Sequence, residues 1–261
     1  MRVVLFLLCA FLGALHAQES WYDKFKIGVE AGLFMNDFDG DIQNATPSTT
    51  TFQEELHYKD TDSSFFALRI SNDVPYVPDV DISYMNVTQN KNAVLVDKKV
   101  VTLGADYNGT VRSQIDYSVL NVVLKATFKH KGSMQKFLRW DFYSGDIEYS
   151  LGVNAKTISY RFDIENEDGS LPSFITVDAL IPLPHAGVRY YWYDFVVYAH
   201  ASALSFSDAK AMNYEYGLDY RLFNGFFISA SYMHEEFEAT ERRDTVKFES
   251  YGNKFSVKYL F

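Results

Sequence analysis

The sequence predicts an all-β chain, a closed up-and-down antiparallel transmembrane β-barrel of about ten strands, with eight to twelve compatible with the pattern. Three observations carry that expectation. Segments of about ten residues alternate apolar and polar side chains along the whole chain, the period of strands with lipid on one face and a lumen on the other. The last segment sets Tyr251, Phe255, Val257, Tyr259 and Phe261 against Lys254, Ser256 and Lys258, and it ends on an aromatic residue. After the N-terminus, the longest charge-free runs are Phe195 to Ser207 and Leu222 to His234, each 13 residues. A membrane helix needs about 20.

Met1 and Arg2 followed by apolar Val3 to Leu15, with the small residue Ala17 before Gln18, read as a secretory leader over 1–17. Leu8 before Cys9 disfavours a lipoprotein. Residues 18–261 then form one barrel domain. The chain has 24 Lys+Arg and 34 Asp+Glu, a net charge of −10, which removes the electrostatic case for nucleic acid. Its one cysteine, Cys9, excludes a disulfide framework and a cysteine-based zinc site from the rest.

The first strand places Ile27, Val29, Ala31, Leu33 and Met35 opposite Lys26, Gly28, Glu30 and Gly32. Phe66, Leu68 and Ile70 then oppose Arg69, and Val80, Ile82 and Tyr84 oppose Asp81 and Ser83. Leu120 to Phe128 opposes Asn121, Lys125 and Thr127; Ile147 to Ala155 opposes Glu148, Ser150, Asn154 and Lys156. Ala186, Val188 and Tyr190 oppose His185, Arg189 and Tyr191, while Phe195 to Ala203 opposes Tyr198, His200 and Ser202. Tyr214 to Leu222 opposes Glu215, Asp219 and Arg221, and Phe226 to Tyr232 opposes Ser229, Ser231 and Glu235.

An even strand count puts both chain ends on the periplasmic side, with short turns there and long loops outside. The inner turns are Asn72 to Asp79, Trp192 to Asp194 and Phe223 to Gly225. Asn36 to Asp62, Thr88 to Arg112 and Asp163 to Pro172 are read as outer loops, with Thr50 to Tyr58 and Ala93 to Leu103 as strand extensions above the membrane. Lys129 to Phe142 is long for an inner connection; its basic and apolar residues fit either an amphipathic turn on the phospholipid leaflet or an extended hairpin. Trp21, Tyr22, Trp140, Tyr143, Tyr190, Trp192 and Tyr259 fit aromatic girdles.

The segments SSFFALRISNDVPYVPDVDISYMNVT, FITVDALIPLPHAGVRYY and YGLDYRLFNGFFISASYMHEEFE, closed by KFSVKYLF, resemble a family of small proteobacterial outer-membrane β-barrel proteins of unassigned function. The resemblance implies fold and address, and it brings no catalytic residues. It also implies that Phe261 belongs to the terminal signal read by the outer-membrane assembly machinery.

The inward-facing charges form the candidate site: a lumen network of Glu30, Arg69, Lys125, Glu148, Lys156, Arg189, Glu215, Asp219, Arg221 and Lys258, with Lys26, Asp81, Glu235 and Lys254 beside it. Near-balance of the two signs predicts pairing, since an unpaired charge in a narrow lumen is costly. A salt-bridged plug follows. His200 and Ser202 resemble in miniature the His-x-Ser of the outer-membrane lipid A deacylases, but they face inward, and no neighbouring acid orients the base; structural lumen residues are expected. His185, His234 and Asp178 belong to no motif. Asp37, Asp39 and Asp41 lack the glycine and closing glutamate of an EF-hand; with Glu54, Glu55, Asp60, Asp62, Asp163, Glu165, Glu167 and Asp168 they make the outer rim acidic. Asn108 in DYNGT resembles an acceptor of bacterial N-glycosylation. Pro182 and Pro184 on the outward face of IPLPHAG predict a rim bulge.

The function expected is an envelope-structural or surface-interaction protein, with a narrow solute channel as alternative and a lipid-modifying enzyme as the minor one. Expected partners are outer-membrane lipids, lipopolysaccharide and the assembly machinery. A monomer without cofactor, metal or nucleic acid completes the expectation.

Overall fold

Backbone N–H and C=O groups in hydrocarbon need partners within the protein, which for strands means pairing all round with no free edge. The computed structural model describes residues 25–261 other than 44–48, 52–55, 57, 59–60, 73, 75–76, 103–104, 138–139, 206–208 and 242–243. The leader, Trp21 and Tyr22 lie outside these residues. The strands in chain order are β1 (Phe25–Gln43), β2 (Thr49–Thr51), β3 (Thr61–Asn72), β4 (Asp79–Thr102), β5 (Ala105–His130), β6 (Met134–Phe137) and β7 (Trp140–Tyr143). They continue with β8 (Asp146–Asn166), β9 (Ser173–Trp192), β10 (Phe195–Ser205), β11 (Ala209–Phe223), β12 (Phe226–Glu241) and β13 (Asp244–Leu260). Ten of them, β1, β3, β4, β5 and β8 to β13, follow one another antiparallel around a closed barrel, and β13 returns to β1 from Gly28↔Leu260 to Gln43↔Thr245.

The inner turns are tight. Tyr193 and Gly225 take left-handed backbone at φ 52° and 73° in the two hairpins that follow β9 and β11. A Cβ at Gly225 would stand 2.4 Å from the Leu260 carbonyl oxygen, so glycine is required there for sterics as well as for φ. The long inner connection is an extended hairpin, β6 on β7, with Met134 exposed.

On the outside the strands run far past the membrane, and most of what the pattern marks as loop is strand. Ala93 and Val94 pair with Val111 and Thr110, and β2 adds to the outer end of β1. Asp37, Asp39 and Asp41 are outward positions of β1, opposite Tyr251, Glu249 and Lys247, instead of a calcium-type loop. Their spacing of two is simply the strand period.

Each long strand keeps its parity and changes its chemistry on the way up. On β5 the outward row is Phe128, Ala126, Leu124, Val122 and Leu120, then Ser118, Asp116, Gln114 and Arg112. Its inward row reverses this, with Thr127, Lys125 and Asn121 below Val119, Tyr117 and Ile115. The same inversion falls between Ala155 and Thr157 outside β8 and between Lys156 and Ile158 inside it. Below the change the sheet is apolar outside and polar inside; above it, the sheet is that of a soluble protein.

The upper interior is a dry core. Phe248 lies 4.3 Å from Tyr117, 5.0 Å from Phe38 and 5.8 Å from Tyr160, ring centre to ring centre. Leu56 and Tyr58, from the segment after β2, are fully buried in the same cluster. The Tyr58 hydroxyl donates to Ser113 at 2.9 Å, and burial pushes this phenol well above its ordinary pKa.

Candidate functional site

Under this core the lumen encloses a cavity of about 220 Å³, roofed by Phe34, Phe65, Met85 and Met233 and walled by charged side chains. At its top Lys156 Nζ lies 3.1 Å from Glu235, both almost fully buried, and the Tyr117 hydroxyl donates to the other Glu235 oxygen at 2.9 Å. In the middle Glu215 accepts from Lys254 at 2.9 and 3.0 Å, from Ser231 at 2.8 Å and from Tyr198 at 3.1 Å. Lower down, Lys258 pairs with Asp219 at 2.8 Å and reaches Glu30 at 3.5 Å, while Ser256 donates to Glu30 at 2.7 Å. On the opposite wall Asp81 takes Arg69 at 3.1 Å and also Lys125. Each of these carboxylates meets a cation, and most accept a further hydrogen bond, the arrangement that offsets the cost of holding charge away from water.

Eight of the ten residues of the predicted network thus find ionic or hydrogen-bonded partners within the lumen, counting Glu148, which accepts from Tyr191 at the lower edge with Lys129 4.0 Å away. Two do not. Arg221 leaves the lumen for the periplasmic turn, where it pairs with Asp194 at 2.7 Å and is half exposed. It is two residues from the end of its strand, so its side chain reaches water more cheaply than the interior. Arg189 stays inside, its guanidinium 5.8 Å from the Tyr198 ring centre, with no carboxylate in ion-pair range among the described residues. The lumen is polar, as expected, and the apolar cluster lies above its ion pairs.

His200 and Ser202 do face inward. The hydrogen-bond partner of Ser202 is not His200 but His185, whose Nδ1 is 3.0 Å from the Ser202 Oγ across the β9–β10 ladder. The His200 ring is 5.7 Å from His185, and its Nε2 is 3.7 Å from Glu215. Hairpin arithmetic would have found the pair, since two-residue turn Tyr193-Asp194 puts Trp192 opposite Phe195 and therefore His185 opposite Ser202. Tyr117 and Tyr198, which bind the buried carboxylates, were legible only as inward positions.

The expected rim bulge at Pro182 and Pro184 is absent. Register with β8 runs unbroken through Val153↔Pro184 and Ala155↔Pro182 to Ile164↔Ser173. The ladder to β10 instead stops at His185↔Ser202. Two missing donors on one edge end a ladder outright, where a single misfit residue would have bulged it.

A closed barrel with an apolar outward band, a hydrogen-bonded polar lumen and aromatic rings such as Trp192, Phe195, Tyr220 and Tyr259 at its lower edge defines an outer-membrane β-barrel protein. Neither a protein-family model nor a curated protein matches the chain. Among solved structures it is similar to the translocator domain of the autotransporter NalP from Neisseria meningitidis, at 12% identity over 99% of this chain and 95% of that one, TM-score 0.45. It is also similar to the outer-membrane protease OmpT from Escherichia coli, at 9% identity over 90% and 97%, TM-score 0.38. A third is Ail, the attachment invasion locus protein of Yersinia pestis, at 10% identity over 89% and 99%, TM-score 0.34.

Proposed function

We propose that this is a sealed barrel of the bacterial outer membrane that carries an elevated, rigid rim for envelope or surface interaction. The observation that supports it is the apolar cluster around Phe248, which stands in the interior above the cavity. Outward-facing Asp37, Asp163 and Glu165 sit above the lipid band on this reading, where divalent cations can bridge them to lipopolysaccharide phosphates. Export uses a leader removed after Ala17. Insertion depends on the terminal strand ending in Phe261, and the mature protein is a monomer among outer-membrane lipids. Asn108, the candidate glycan acceptor, stands on β5 beside Gly109 in the β4–β5 hairpin.

The narrow-channel alternative needs a route through the Phe248 cluster. Recording from the purified protein in planar bilayers tests the choice: no steady conductance is expected, and a steady unitary conductance would overturn the sealed reading.

A further inference from the structure

β9 outlasts the strand beside it. Past His185 it continues to Ser173 on the β8 side, while on the other edge the described residues offer it no partner. Because the β8 register is unbroken, the missing N–H groups of Pro182 and Pro184 face that open edge, so this seam cannot zip further. The outward side chains along it, Pro184, Pro182, Leu180 and Ala203, are apolar and exposed, as befits a lip in contact with lipid. Pro184 lies ten residues above Asp194; at ~3.3 Å rise and ~45° tilt this is a height near 23 Å, the outer edge of an apolar band ~25 Å tall. That is the depth at which ester linkages of outer-leaflet lipids meet their acyl chains.

The polar groups directly below the seam are of matching kind. Ser202 and His185 form its last rung, share the 3.0 Å hydrogen bond, and both line the lumen cavity. Asn213 pairs with Ser202 across the β10–β11 ladder, lines the same cavity, and has a buried side-chain oxygen with no partner among the described residues. Immediately above lie fully buried Leu183 and half-buried Leu204.

We propose that this seam is an acyl-ester site: an ester-linked acyl chain of an outer-leaflet lipid passes between β9 and β10, with Ser202 as nucleophile and His185 as its base. The Ser202 Oγ adds to the ester carbonyl carbon and its proton passes to His185 Nδ1. The bond from that carbon to the alcohol oxygen breaks, and the departing alcohol takes the proton, leaving acyl-Ser202. Water, deprotonated by His185, then releases the fatty acid and restores the serine. The polar cavity receives the head group while the chain trails into the membrane past Leu183 and Leu204. This activity is independent of whether the rim binds a partner.

The test uses the mature protein refolded in detergent micelles, its folded state checked by heat-modifiable gel migration. A long-chain alkyl fluorophosphonate and its ethyl counterpart are the probes, with adducts located by peptide mass spectrometry. Labelling is expected at Ser202, absent in Ser202→Ala and slowed on the order of 10³-fold in His185→Gln. Release of fatty acid from phosphatidylethanolamine vesicles should fall in parallel. Residues after Gln18 contain no cysteine, so a Pro184→Cys, Ala203→Cys pair can bridge the seam without a competing thiol. Oxidation should block the long-chain probe at least about tenfold, with recovery on reduction. A folded protein whose Ser202 resists both probes overturns the site; labelling that survives His185→Gln overturns the base, and labelling indifferent to the bridge overturns the lateral route. A merely structural Ser–His contact would move none of these readouts.

Discussion

The lower and upper halves of this barrel are made of the same strands and follow opposite rules. Below, Lys125, Asn154 and Lys254 point in while Leu124, Val153 and Phe255 point out; above, Tyr117, Phe162 and Phe248 point in while Asp116, Arg161 and Glu249 point out. Strand parity carries through from one half to the other in β5, β8 and β13, because a side chain alternates with the pleat whatever surrounds it. What changes is the solvent outside. In hydrocarbon the outer face has to be apolar, and the polar groups left inside must satisfy one another; in water the outer face can be charged, and the interior is free to exclude water. On the sealed-barrel proposal, closure is therefore supplied by the part of the barrel that stands outside the membrane.

The comparison can be broken first at the seam where the barrel closes. The Phe261 N–H donates to the Ile27 carbonyl at 2.8 Å and its ring packs on Tyr259. Deleting Phe261 should abolish folded, heat-modifiable protein in the outer membrane, and normal levels there would show that closure does not need the terminal residue.

In the upper half Phe248→Ala empties the centre of the ring cluster and should cost about 3–5 kcal/mol, read by chemical unfolding from lipid vesicles. The same variant sharpens the sealing argument if it also produces conductance in planar bilayers. In the lower half Lys156→Ala strands the buried carboxylate of Glu235 and should cost a similar 3–5 kcal/mol. The double variant Lys156→Met, Glu235→Leu should recover most of that loss. Additive single and double effects would mean that the pair is wetted, which would favour the channel.

The smallest effect belongs to the periplasmic rim. Arg221→Ala removes an exposed pair with Asp194 and should change stability by less than about 1 kcal/mol in the same unfolding experiment. A loss near that of Lys156→Ala would return Arg221 to the lumen network.

Much of this was legible in the residues before any coordinates. Strand number, chain direction and the inward face of every membrane segment follow from alternation, and the closing strand announces itself by its terminal phenylalanine. Local pairing was also within reach where turns are tight, as His185 and Ser202 show. The outer ends of β1, β4 and β5 were harder. At β1, DFDGD alternates in the opposite chemical sense and a rule tuned to lipid reads it as loop, whereas the extension read from Ala93 onward does pair with β5.

By itself, then, the sequence determined the barrel and the inward face of its membrane segments, because both depend on side-chain period and on the cost of polar backbone in lipid. Only the tertiary structure decided which charges meet. Lys156 with Glu235 spans strands β8 and β12, Arg221 turns away to Asp194, and Phe248 gathers rings from β1, β5 and β8. Such meetings depend on the curvature and stagger of a closed sheet, which set who faces whom across the lumen and which no one-dimensional period contains. The open edge of β9 is of the same kind: two prolines mark where pairing can fail, and the structure shows β10 running on to Ser205 without pairing to β9 beyond Ser202.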